Sequence, residues 1–165
     1  MSKAFTKEDD NTANEALFEL PQSPHPNYVR PAGLAALKKR LSETTVKLTE
    51  LQRQKDDVDT QLPIAVAERD IRFLEERIKR AILIDPHSQP PGVVAFGAEV
   101  DVIDDADETQ TYTIVGEDEA KPALGLITPF SPLAHALIGA VVGDVVVWKR
   151  PKGSVEIEII AIRFP

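Results

Sequence analysis

A chain of 165 residues with a formal net charge of −8 has room for one ordinary domain and an appendage. Its acidic balance argues against a duplex-binding surface, which needs a basic face. The lack of cysteine excludes disulfides, thiolate nucleophiles and thiolate metal sites, and no apolar run reaches membrane-spanning length.

Residues 1–30 are polar and acidic, with Pro21, Pro24 and Pro26 close together. They read as a flexible tail. Leu17, Phe18 and Leu20 form its apolar cluster, and a short docking motif around Phe18 is the alternative. The N-terminus lacks the apolar core of a signal peptide, so a cytoplasmic location is expected.

The next stretch, 31–85, reads as two helices folded back on each other. Leu34, Leu37, Leu41, Thr44, Leu48, Leu51, Lys55 and Val58 step by alternating threes and fours. Ile64, Ala67, Ile71, Leu74, Ile78 and Ala81 repeat the pattern on the return. Each arm thus carries a heptad seam, the pattern of an antiparallel two-helix coiled coil. The first arm is expected over Pro31–Lys55 and the second over Thr60–Ile82, with Thr60 as N-cap and Pro63 in the first turn. Gly33 costs the first arm some helicity. Asp85-Pro86 stops the second arm, because the residue before proline disfavours helix.

Asp56, Asp57 and Asp59 crowd the tip of this hairpin. Carboxylates suit hard cations such as magnesium, with the rest of the shell supplied by water or another molecule. The competing reading is an exposed turn, where aspartate is common. The outer faces mix Lys and Arg with acids, the pattern of a solvated, salt-bridged surface. Arg53 and Lys55, nearest the tip, are the candidates for contact with nucleic acid.

Residues 86–92 are a linker by composition. Beyond them the period changes from helical to two. Strands are expected in Val94–Ile103, Gln110–Val115, Leu124–Ile127, Val145–Trp148 and Val155–Phe164. Ser131, Pro132 and Gly139 supply the N-cap, first residue and C-cap of one short helix. Residues 93–165 thus form a small antiparallel sheet with one helix packed on it, and the whole is α+β.

Enzyme chemistry is not visible. His25, His87 and His135 are too scattered to suggest a metal site. No GxGxxG, GxxxxGK[ST] or GxSxG motif is present, so the chain is not expected to be a self-sufficient enzyme.

The chain resembles the Gre transcript-cleavage factors (GreA/GreB) of bacterial RNA polymerase over roughly residues 28–165. Pro31-Ala32-Gly33-Leu34 and Ile84-Asp85-Pro86 bound the hairpin. Phe96-Gly97-Ala98, Ile114-Val115-Gly116-Glu117-Asp118-Glu119-Ala120, Ser131-Pro132-Leu133-Ala134-His135-Ala136-Leu137 and Val142-Gly143-Asp144 follow in order. The resemblance implies an FKBP-like sheet domain over 93–165 that binds the rim of the polymerase secondary channel, around Phe130, Ser131, Pro132 and Leu133. It implies a coiled coil that enters the channel and places tip carboxylates beside the catalytic magnesium. The cleavage chemistry then belongs to the polymerase, and the factor binds no cofactor stably but shares that magnesium. An FKBP-like fold does not imply prolyl isomerase activity.

Two departures matter. The family tip reads like G-D-x-S-E-N-A-E/D-Y, whereas Lys55-Asp56-Asp57-Val58-Asp59-Thr60-Gln61 stands here, so Asp56, Asp57 and Asp59 are assigned by position at the turn. Each arm is also shorter by about seven residues, or roughly 10 Å of reach. Phe130 occupies a position often acidic in the family.

The expected function is therefore that of an elongation factor bound to RNA polymerase as a monomer. Its contact with nascent RNA is indirect, and it binds neither specific DNA sequences nor membranes. A non-cleaving channel regulator or inhibitor, like the nucleoside diphosphate kinase regulators, is the alternative. A protein-docking adaptor unrelated to polymerase is the third.

Overall fold

The computed structural model describes residues 18–165. The proposed Phe18 motif sits at the edge of this range, and the expectations for residues 1–17 lie outside it. The chain forms two compact units. One joins residues 18–26 with Ala35–Arg80; the other joins Asn27–Leu34 with Ala81–Pro165.

The first unit is the helical hairpin. Helix α1 spans Pro31–Gln52 and helix α2 spans Gln61–Lys79, with a 3-10 turn at Val58–Thr60 between them. Leu37, Ala67 and Leu74 are buried and Leu41, Thr44, Leu48, Leu51, Ile71 and Ile78 half-buried, so the heptad seam is the buried stripe. The seam ends before the tip: Lys55 is exposed and Val58 is 83% exposed. Thr60 is the N-cap residue of α2, as expected, but its side chain makes no capping hydrogen bond. Its hydroxyl instead donates to the carbonyls of Gln54 (2.9 Å) and Asp57 (2.7 Å), tying the turn shut.

Residues 18–26 are fastened along α2. The Gln22 side-chain amide donates to the Phe73 carbonyl (3.1 Å), Arg72 pairs with Glu19 (2.6 Å), and the Arg80 guanidinium reaches the Ser23 carbonyl (3.4 Å). The expected tail over 1–30 therefore ends sooner than its composition suggests. Its last residues are strand β1, Asn27–Val29, paired in parallel with β2, Ala81–Leu83. That pairing also ends α2 at Lys79 rather than Ile82, because residues 81–83 give their backbone bonds to a distant segment.

The second unit is built on a five-stranded sheet. Its strands are β3 (Glu99–Asp104), β4 (Thr109–Ile114), β5 (Leu126–Ile127), β6 (Val145–Trp148) and β7 (Val155–Arg163). Their order is β5-β4-β3-β7-β6. The sheet is antiparallel except for β4–β5, which pair in parallel, a correction to the antiparallel expectation. The connection from Ile114 passes through two 3-10 turns, Glu117–Glu119 and Pro122–Leu124, and so re-enters the sheet in its original direction. Helix α3, Pro132–Leu137, opens where the sequence places it, with Ser131 Oγ accepting from the Ala134 amide (3.2 Å). Val100, Val102, Ile114, Ile157 and Ile159 of the sheet bury one face against Leu133, Ala134 and Leu137 of α3.

Candidate functional site

Two places hold the residues singled out from the sequence: the hairpin tip and the border of α3.

At the tip, Asp56, Asp57 and Asp59 are all exposed, as the acidic turn predicts. Their roles differ. Asp57 is the N-cap of the 3-10 turn, its Oδ1 accepting from the Asp59 amide at 3.0 Å. The Asp56 and Asp59 carboxylates make no hydrogen bond or ion pair among the described residues. No group of three or more His, Asp or Glu among the described residues is placed to hold a metal ion. Exposed carboxylates of this kind suit hard cations, but those at the tip do not make a complete metal shell among the described residues. Arg53 and Lys55 lie in the turn after α1. Arg53 Nη1 is paired with Glu50 (2.8 Å), while the Lys55 side chain is exposed and its carbonyl accepts from Gln61 Nε2 (2.5 Å).

At the sheet domain, Ser131 and Pro132 border a groove of about 650 Å³. One wall is Pro122, Ala123 and Leu124; the floor carries Tyr112 and Trp148. Tyr112 and Trp148 meet edge to face with ring centroids 6.1 Å apart, and the Arg150 guanidinium lies 5.2 Å from the Trp148 ring. Burial raises the Tyr112 pKa, so its hydroxyl stays protonated and donates to Gln110. Gly125 turns the wall with φ +74°, and a Cβ there would strike the Thr111 carbonyl, so the groove's shape depends on that glycine. Leu124 is 71% exposed, a large apolar side chain presented to solvent beside aromatic rings.

The four residues expected to contact a partner separate into two groups. Ser131, Pro132 and Leu133 line the groove, Leu133 from the core side at 3% exposure. Phe130 does not line it and stacks on Tyr28 at 6.2 Å. Leu124, Tyr112 and Trp148 were missed because they come from three separate parts of the chain. The apolar Leu124 within a Pro- and Gly-bounded loop was the one local signal.

The residues that fasten the start of α1 also escaped sequence reading. Arg30 makes a two-pronged pair with Glu119, at 2.7 and 3.1 Å. The Glu119 carboxylate then lies over the first turn of α1, where a Cβ on Gly33 would come within 2.6 Å of its Oε2. A carboxylate there complements the helix dipole.

The described residues thus comprise a helical hairpin with a capped acidic tip and a sheet domain with an aromatic-lined groove. The model for the C-terminal domain of the transcription elongation factors GreA/GreB matches residues 89–164. The transcription elongation factor GreB of Neisseria meningitidis is 34% identical over 153 residues, covering 84% of this chain and 94% of its own length. GreA of Pseudomonas aeruginosa is 45% identical over 103 residues, covering 59% of this chain and 63% of GreA. GreA of Nautilia profundicola is 48% identical over 93 residues, covering 56% of this chain and 57% of GreA. The matched region therefore spans about three-fifths of those GreA relatives. Among solved structures, GreA factor homolog 1 (Gfh1) of Thermus thermophilus aligns with 84% of this chain at 28% identity and a TM-score of 0.40. On the strength of the near full-length GreB match, the chain belongs to the GreA/GreB family.

Proposed function

We propose that this protein is an elongation factor that docks on bacterial RNA polymerase through its sheet domain and directs its hairpin into the secondary channel. The groove beside Ser131 and Pro132 carries the reading. An exposed leucine and an aromatic floor next to the family's contact motif have the chemistry of a docking anchor. In this reading the polymerase supplies the hydrolytic chemistry. The tip contributes Asp56 and Asp59 as free carboxylates near the catalytic magnesium, and Asp57 holds the tip in shape. Lys55, exposed and without an ion pair among the described residues, offers a neighbouring cation for nascent RNA.

A second reading is favoured by the helix lengths. At 22 and 19 residues, α1 and α2 extend roughly 33 and 29 Å. A hairpin this short supports a regulator that occupies the channel without reaching the active centre.

Transcript cleavage in a stalled, backtracked elongation complex separates the two. The triple variant Asp56→Asn, Asp57→Asn, Asp59→Asn keeps the cap, because asparagine caps as well as aspartate, and removes the charge. Shortened RNA with the wild-type protein and none with the variant supports cleavage stimulation. No shortening, with protection against an active cleavage factor, supports the regulator. Equal cleavage by both proteins removes the tip carboxylates from the mechanism.

A further inference from the structure

The outer face of the sheet carries a second surface, away from the groove. Strand β6 is one of the sheet's two edges. Val145 and Val147 point outward from it at 59% and 47% exposure, and Val141 and Val142 just before it are exposed too. An exposed apolar edge strand is ready to accept another strand, and natural sequences usually blunt such an edge with lysine, proline or a bulge. None of these lies within Val145–Trp148.

The neighbouring strand sets the charge of whatever pairs there. Across the β6–β7 ladder Val145 faces Glu158 and Val147 faces Glu156. Glu158 also faces Ile103 of β3. A depression of about 230 Å³ opens at this point, lined by Ile103 and Val145 with Asp105, Asp107, Glu156 and Glu158 around them. Among the described residues these four carboxylates have no ion-pair partner. On the same face, by contrast, Asp101 and Glu99 are both neutralised by Arg163. An apolar floor with a carboxylate rim suits a long cationic side chain, whose methylenes cover the apolar atoms while its head meets the acids.

We infer that the β6 edge docks a basic, extended segment of a partner protein. The segment adds a strand to β6, sets β-branched side chains on Val145 and Val147, and seats a lysine or arginine in the depression. A second copy is the poorer occupant, since it brings the same carboxylates and a net charge of −8. Residues 1–17 are poorer too, with four acids against two lysines.

The test uses the full chain and a short labelled peptide with valine, valine and lysine at successive alternate positions and threonine between them, so that the three side chains share one face. The same peptide with glutamate in place of lysine is the control. The expected result is movement of the β6 and β7 backbone amide resonances with the lysine peptide alone. Glu156→Gln with Glu158→Gln should weaken binding about tenfold, and added salt should weaken it further. Val145→Thr with Val147→Thr, which keeps strand propensity, should weaken it independently. Unmoved β6 amides, equal binding of both peptides, or indifference to the glutamate substitutions would overturn the inference. Concentration-dependent self-association through β6 would overturn it in favour of a second copy.

Discussion

Gly33 shows how one residue can look like a defect and act as a socket. In the first turn of a helix glycine costs about 1 kcal/mol relative to alanine. Here the missing Cβ leaves room for the Glu119 carboxylate, which Arg30 holds in a two-pronged grip. Gly33→Ala therefore should displace that carboxylate and destabilise the protein by about 1–2 kcal/mol. In a Glu119→Ala background the same substitution should stabilise, because only helix propensity then remains. Denaturant midpoints of the four proteins decide it, and the same sign in both backgrounds would refute the socket. Asp101 gives a prediction in pH. Hydrogen bonds from Arg163 and then Thr111 lower its pKa to about 2. The unfolded chain titrates near 3.9, so this stabilisation is full above about pH 4 and drains away as pH falls toward 2. Asp101→Asn should flatten the dependence of the unfolding midpoint on pH across that window; parallel profiles would contradict it.

At the scale of elements, the hairpin tip separates shape from charge. Asp57→Ala should cost about 1 kcal/mol through the lost cap. Asp56→Ala and Asp59→Ala, which break no hydrogen bond, should leave the thermal midpoint nearly unchanged. A large effect from either would mean that the tip is held together differently. This division explains what was readable beforehand. The seam as far as Leu51, the acidic turn and the Ser131-Pro132 opening of α3 are local patterns that appear where their spacing places them, whereas Lys55 and Val58, the seam's expected last steps, are exposed. The β1–β2 pair and the parallel β5 depend on segments far apart in the chain, and periodicity carries no record of the partner. Thr60 stands at the N-cap position as expected, yet its side chain does other work. A threonine just ahead of a helix looks like a cap, but tertiary closure of the turn claimed its hydroxyl for two carbonyls. The groove was half legible: its motif is contiguous, while Tyr112, Leu124 and Trp148 converge only through the sheet.

For the whole molecule, the proposed function divides labour between the units: in that proposal the sheet domain binds polymerase and the hairpin acts. Net charge of −8 disfavours direct capture of nucleic acid and favours recruitment through protein contact. The account's central claim is that the groove beside Ser131 and Pro132 is the polymerase-binding surface. It is tested most directly by the affinity of the full-length protein for core RNA polymerase, beside Leu124→Glu and the triple-asparagine tip variant. Leu124 is largely exposed, so the glutamate should leave the fold intact, which circular dichroism checks. The account predicts that the wild-type and tip-variant proteins bind alike and that Leu124→Glu binds at least about tenfold more weakly. Unchanged binding by Leu124→Glu, or no binding by the wild-type protein, would contradict it.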